Sequence, residues 1–188
     1  MCSLPNNQIA CGDVQGSISI WDLNSLNKVK SFKAHRELVS HLLLYNNSRL
    51  ISCSDQEENI KVWSLPTFHR MDELIGHTKT INCLELTSQG NLLSSSWDKT
   101  IKVWRIEDGE LLNTFEFKND VYNFKILSKN LIARLEFDEI HICNINDMDS
   151  ITKITQSRSL CVLMNSISNG NLLTGSEDGE INFLKIFE

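Results

Sequence analysis

His77, Ser94 and Asp98 are the residues of this chain whose types could do chemistry together. A hydroxyl, an imidazole and a carboxylate form the proton-relay set of acyl-transfer enzymes: the imidazole takes the hydroxyl proton while the carboxylate holds the imidazole. Their setting argues against that use. No Gly-x-Ser-x-Gly turn presents the serine, and part of the same set, His35 with Ser52, occurs 42 residues earlier. There is no phosphate-cradling glycine loop and no His-x-x-x-His or carboxylate cluster at metal spacing; His41, His69 and His141 stand apart. Cys2, Cys11, Cys53, Cys83, Cys143 and Cys161 show no Cys-x-x-Cys spacing. Four of them, Cys11, Cys53, Cys83 and Cys143, sit in apolar strand patterns, where cysteine acts as a small hydrophobe. The expectation is a protein that is not an enzyme, with no metal and no cofactor. Its cysteines are expected to be reduced, which places it in the cytoplasm or the nucleus.

The elements around these residues repeat. Trp21, Trp63, Trp104, Cys143 and Leu184 fall at equivalent positions, with spacings of 42, 41, 39 and 41 residues. A fixed period near that length marks a repeat architecture. In the clearest copy, Ile81–Leu86 alternates as a half-buried strand, and Ser88-Gln89-Gly90 turns the chain into the short apolar run from Leu92. The Asp98-Lys99 turn leads to Ile101–Trp104, and Asp108-Gly109, a hairpin pair, leads to Leu111–Phe115. Helical periodicity is absent. The copies divide as residues 1–33 (partial, with no strand before Ile9), 34–75, 76–116, 117–155, and 156–188 (ending without its last strand). Units of four short strands cannot stand alone and stack through their faces. The predicted fold is all-β: a β-propeller of four-stranded antiparallel blades, present as an incomplete arc of about five blades.

At 188 residues, 41% apolar and 22% charged, the chain has the composition of a globular protein. The net charge of −6 argues against general nucleic-acid binding. The N-terminus has neither a basic start nor a long apolar segment, and no run approaches the roughly 20 apolar residues of a membrane span. Membrane insertion is not expected.

With these motifs in hand, the chain resembles the WD-repeat β-propeller family over nearly its whole length. Gly76-His77, Ser94–Asp98 and Ile101–Trp104 carry the resemblance in the third copy, and Ala34-His35, Ser52–Ser54 and Ile60–Trp63 in the second. Among the equivalent tryptophans Trp21, Trp63 and Trp104, only Trp21 is followed directly by Asp; Ser64 and Arg105 follow the others. The resemblance implies a buried hydrogen-bond network of His77, Ser94, Asp98 and Trp104, and a partial one of His35, Ser52 and Trp63. In the second copy the acidic position falls on Glu57 or a shifted Asp55, because Asp55-Gln56-Glu57-Glu58-Asn59 replaces the four residues from Trp97 to Thr100. Gln15 stands at the acidic position of the first copy. The fourth has Phe137 there and Phe117 in place of His, and the fifth keeps Thr174 and Asp178. One full network is therefore expected, with the fourth and fifth blades held mainly by apolar packing.

The resemblance further implies a non-catalytic scaffold or adaptor for protein–protein interaction, with one rim carrying Arg36, Glu37, Lys79, Trp97, Asp120, Arg158 and Glu177. Trp97 precedes the buried Asp98 and is expected to face solvent as a partner anchor, the plainer alternative being that it leans on the next blade. From another class, the alternative is a small-ligand or enzymatic propeller using the central channel. A seven-bladed ring would need on the order of 290 residues at this period. The expected explanation is a fragment of a longer chain, with a degenerate product or an arc that self-associates through its open ends as alternatives.

Overall fold

Paired left-handed asparagines start the construction. Asn6-Asn7 (φ 58° and 56°) and Asn46-Asn47 (φ 46° and 53°) lie in the three-residue hairpin loops 5–7 and 46–48, and asparagine tolerates that backbone better than most residues. The computed structural model describes residues 1–136, 139–155, 161–166, 171–176 and 179–186. Across them the chain forms strands and no helix, and so contains no helix long and apolar enough to cross a membrane.

The strands form five antiparallel sheets, each a meander in chain order. The first holds β1 (Cys2–Leu4), β2 (Gln8–Gly12), β3 (Ser17–Asp22) and β4 (Asn27–Lys33). The second holds β5 (Val39–Tyr45), β6 (Arg49–Ser54), β7 (Ile60–Ser64) and β8 (Arg70–Leu74). In the third are β9 (Ile81–Leu86), β10 (Leu92–Ser96), β11 (Thr100–Trp104) and β12 (Leu111–Glu116). The fourth comprises β13 (Asn123–Ile126), β14 (Leu131–Glu136), β15 (Glu139–Asn144) and β16 (Ser150–Thr155). The fifth has three described strands, β17 (Cys161–Ser166), β18 (Leu172–Ser176) and β19 (Ile181–Leu184).

The first strand of each sheet lies against the first strand of the next, β1 to β5 to β9 to β13 to β17, as blades around an axis must. The arc does not close. Packing follows from this order. The second strands of the three middle blades, covered on both faces, are almost wholly buried: β10 at every residue, β6 and β14 at five of six. Each outer strand is wetter: β4 has six exposed residues of seven. Between blades lie successive apolar layers, such as Ile51, Ile60 and Leu74 of the second blade against Ile81, Leu92 and Trp104 of the third. Burying each such side chain is worth roughly 1.5–3 kcal/mol, and the stacked interfaces hold the array.

One expectation is corrected by this topology. The first unit is not partial: Cys2–Leu4 pairs with β2, Cys2 opposite Ala10 and Leu4 opposite Gln8, and completes a four-stranded blade. A three-residue strand carries too little alternation to show in the sequence, but the Pro5-Asn6-Asn7 turn after it was a usable sign. Within the apolar layers of the fourth blade lies a buried ion pair of Arg134 and Glu136, which no sequence motif announces.

Candidate functional site

In an antiparallel meander the turns between second and third strands fall at the same end as the loops that lead to the next blade. That end is one rim. The loop before β5 carries His35 there, and the turn after β6 carries Glu57; His77 and Asp98 are their counterparts around β9 and β10. Strand register sets the rest. Leu50 pairs with Trp63, Leu92 with Trp104, Ile132 with Cys143 and Leu172 with Leu184, so Ser52, Ser94, Arg134 and Thr174 occupy one equivalent position.

In the third blade the Trp104 indole N–H donates to Ser94 Oγ at 2.8 Å, and Ser94 Oγ lies 2.7 Å from His77 Nε2. His77 Nδ1 lies 2.7 Å from Asp98 Oδ2. The carboxylate can only accept, so His77 Nδ1–H donates to it, leaving Nε2 to accept from the Ser94 hydroxyl. The chain of bonds runs one way, with the Thr100 hydroxyl oxygen a longer second contact of His77 Nδ1 at 3.3 Å. Asp98 also accepts from the Thr78 N–H at 3.0 Å and from the Thr100 hydroxyl at 2.6 Å. Burial alone would raise its pKa, but the bonds from His77, Thr100 and Thr78 win and hold it well below the ordinary 3.8.

The second blade builds the same chain from a different acid. Trp63 donates to Ser52 at 2.8 Å, Ser52 Oγ lies 2.7 Å from His35 Nε2, and His35 Nδ1 lies 2.6 Å from Glu57 Oε2. The turn is one residue longer, and the longer glutamate side chain restores the reach to the imidazole. Glu57, not Asp55, is thus the partner, and two described blades, not one, hold a full network. Glu57 also accepts from the Arg36 N–H at 2.7 Å and the Lys61 ammonium at 2.9 Å. Burial pushes its pKa up, but the bonds from His35, Arg36 and Lys61 outweigh it and hold Glu57 at about 2. Burial lowers the His35 imidazole below 6.5, the bond to Glu57 opposing it, so the ring is neutral near pH 7.

Neither network is open to a substrate. Ser52 and Ser94 are fully buried, and His35 and His77 nearly so. A serine whose oxygen already accepts from an indole has no room for an acyl group. Glycine placement depends on the same packing: a Cβ on Gly76 would stand 3.0 Å from the Trp104 ring.

Two further serines escaped the sequence reading. Ser54 and Ser96, two residues beyond Ser52 and Ser94 on the same face of their strands, donate to the carbonyls of Glu37 and Lys79, each at 3.0 Å. They tie each loop to its turn, and the repeated Ser-x-Ser pair was their signal. In the fourth blade Arg134 and Glu136 take those two places, joined at 2.7 Å. The Arg134 guanidinium stacks 4.2 Å from the ring centroid of Phe117, which stands where His77 would be, and Asn119 donates to Glu136 at 3.3 Å.

Of the expected rim residues, Trp97, Arg36, Glu37 and Lys79 are exposed, and Asp120 is half-buried. Arg158, Glu177, Phe137 and Asp178 lie outside the described residues. Arg36 and Glu37 border a cleft of about 550 Å³ in the second blade, with Glu57, Glu58, Arg70 and Glu73. Thr174 of the fifth blade is buried. Among the described residues no group of histidine, cysteine, aspartate and glutamate side chains is placed to hold a metal ion.

Residues 26–64 and 68–105 each match the family model described as WD domain, G-beta repeat. These two stretches are WD repeats. Each matched WD repeat begins with the outer strand of one blade and ends with the third strand of the next: 26–64 spans β4 to β7, and 68–105 spans β8 to β11. A repeat so staggered links neighbouring blades covalently and by packing at once. WD repeats generally mediate protein–protein interaction as scaffolds. No curated protein matches the chain.

Proposed function

We propose that this WD-repeat chain is a non-catalytic scaffold in the cytoplasm or nucleus that binds other proteins through the rim holding Arg36, Glu37, Lys79 and Trp97. The observation that carries the reading is the contrast between the two His-centred networks and their surroundings. The chemistry-bearing side chains are buried and mutually satisfied, while Trp97 beside them is 47% exposed. A large aromatic held on a rigid turn is the residue type that anchors interfaces at low entropic cost. His77, Ser94, Asp98 and Trp104, with their second-blade counterparts, then serve to fix the rim's shape.

The test compares the intact chain, Trp97→Ala, and Lys129→Ala at the opposite rim as baits in one cell extract. Trp97→Ala is expected to lose co-purifying proteins that Lys129→Ala retains. Equal retention by all three sinks the rim assignment.

A further inference from the structure

Three lysines surround Trp97. Ser96 donates to the Lys79 carbonyl at 3.0 Å, and the Trp97 N–H donates to the Thr80 carbonyl at 3.0 Å, which brings Lys79 beside the turn. Lys99 follows within the turn. Phe117 N–H donates to the Lys99 carbonyl at 2.9 Å and the Lys99 ammonium donates to the Lys118 carbonyl at 3.1 Å, so Lys118 joins the group. All three lysines are exposed, and none forms an ion pair among the described residues. Asp98, the acid between them, is turned inward on His77, Thr78 and Thr100. Glu116 and Asp120 flank the group without pairing to it. The second blade's rim is acidic on balance: Glu37, Asp55 and Glu58 form no ion pair among the described residues and outnumber the neighbouring Arg36.

We propose that the Trp97 patch docks a short acidic peptide segment bearing one apolar side chain. This rests on the reading of the rim as a protein-binding surface and adds the chemistry of the partner. The indole face receives the apolar side chain, and the ammonium groups of Lys79, Lys99 and Lys118 meet the carboxylates around it. Charge complementarity of this kind steers encounter and selects partners, while the aromatic anchor supplies most of the affinity. With a net charge of −6, the rest of the molecule repels an acidic segment, so the patch is where such a segment lands. A single-stranded nucleic acid could stack on an indole among lysines, but its backbone would run onto Glu37, Asp55 and Glu58. A short peptide stops before them.

The experiment titrates the full chain into a fluorescein-labelled octapeptide of glutamate and aspartate with one central phenylalanine, read by anisotropy. The same peptide with lysine for each acid and a labelled oligothymidylate run beside it. Saturable binding is expected for the acidic peptide alone. Trp97→Ala and the pair Lys79→Glu/Lys118→Glu each weaken it by about tenfold or more, the scale of a hot-spot loss. Lys30→Glu/Lys129→Glu, with the same change in net charge elsewhere, leaves it unchanged. Circular dichroism checks each variant; one that loses its sheet signal is replaced by Trp97→Leu or Lys79→Gln/Lys118→Gln and held to the same outcome. Equal binding of the acidic and basic peptides, tighter binding of the oligothymidylate, or no binding of the acidic peptide overturns the inference. If proteins captured by the intact chain are lost with Trp97→Ala but kept with Lys79→Glu/Lys118→Glu, the acidic partner is wrong and the rim reading stands.

Discussion

Removing the Ser94 hydroxyl strips an acceptor from the Trp104 indole and a donor from His77 in one step, in a place water does not reach. Ser94→Ala is expected to destabilise the chain by roughly 1–3 kcal/mol for each group left unpaired, as measured by urea unfolding. Ser94→Thr keeps the hydroxyl and is expected to lose less. The acids at the ends of the networks give the fold a pH dependence. Glu57 and Asp98 have depressed pKa values, so the folded state holds fewer protons than the unfolded chain; their stabilisation is full above 4.5 and 3.8 and is lost as pH falls, for Glu57 through about 2. His35 is also depressed, and its share begins to fade as pH drops below 6.5. Urea midpoints followed by tryptophan fluorescence are expected to be flat near neutrality and to fall below that value. Glu57→Gln should flatten the acidic part of the curve. The members of both networks were legible because their spacing repeats: His to Ser is 17 residues in each. Arg134 was not, since arginine at a serine's position shows no likeness in chemistry, and only strand register identifies the two sites.

At the scale of the element, the turns decide where loops sit. Gly16, at φ +81°, packs so closely that a Cβ would stand 2.2 Å from the His35 carbonyl oxygen, and its own carbonyl accepts from the Ala34 and His35 N–H groups. Gly16→Ala is expected to cost about 1 kcal/mol or more from backbone strain alone, with the added clash disturbing the second blade's network next door. Thermal melts of the variant test this. The Arg134–Glu136 pair makes a sharper prediction. Arg134→Leu alone strands a buried carboxylate and should cost about 3–5 kcal/mol, while Arg134→Leu/Glu136→Leu should recover most of it, because the desolvated pair gives little net gain over apolar contact. A double-mutant cycle reads the difference. Strand positions were largely legible from alternation and from the Asp108-Gly109 and Asn46-Asn47 turns. Cys2–Leu4 was not, since its pairing comes from β2 and its packing from β5 rather than from a pattern of its own.

For the whole molecule, stability is a matter of neighbours. The second and third blades share an apolar layer and are cross-tied at the opposite rim by Tyr45 to Glu107 and by Arg49 to the Ile106 carbonyl at 2.9 Å. Nearest-neighbour coupling then predicts slowest amide exchange in β6 and β10 and faster exchange in β18, by hydrogen-exchange mass spectrometry. The open arc could not be read as a boundary of the molecule from sequence, because a blade's covering surface need not lie in the same stretch of chain. One last property follows from the cysteines. Cys53 and Cys83 have thiols pushed by burial up to about 12, and Cys143 to about 11, while Cys2 and Cys11 are only half-buried. An alkylator would thus reach the latter pair sooner, although burial raises the Cys2 thiol as well, and the former three only when their sheets part. Cys53, Cys83 and Cys143 lie in successive blades, so a timed pulse of iodoacetamide would act as three separate stopwatches, each recording how often its own blade comes apart.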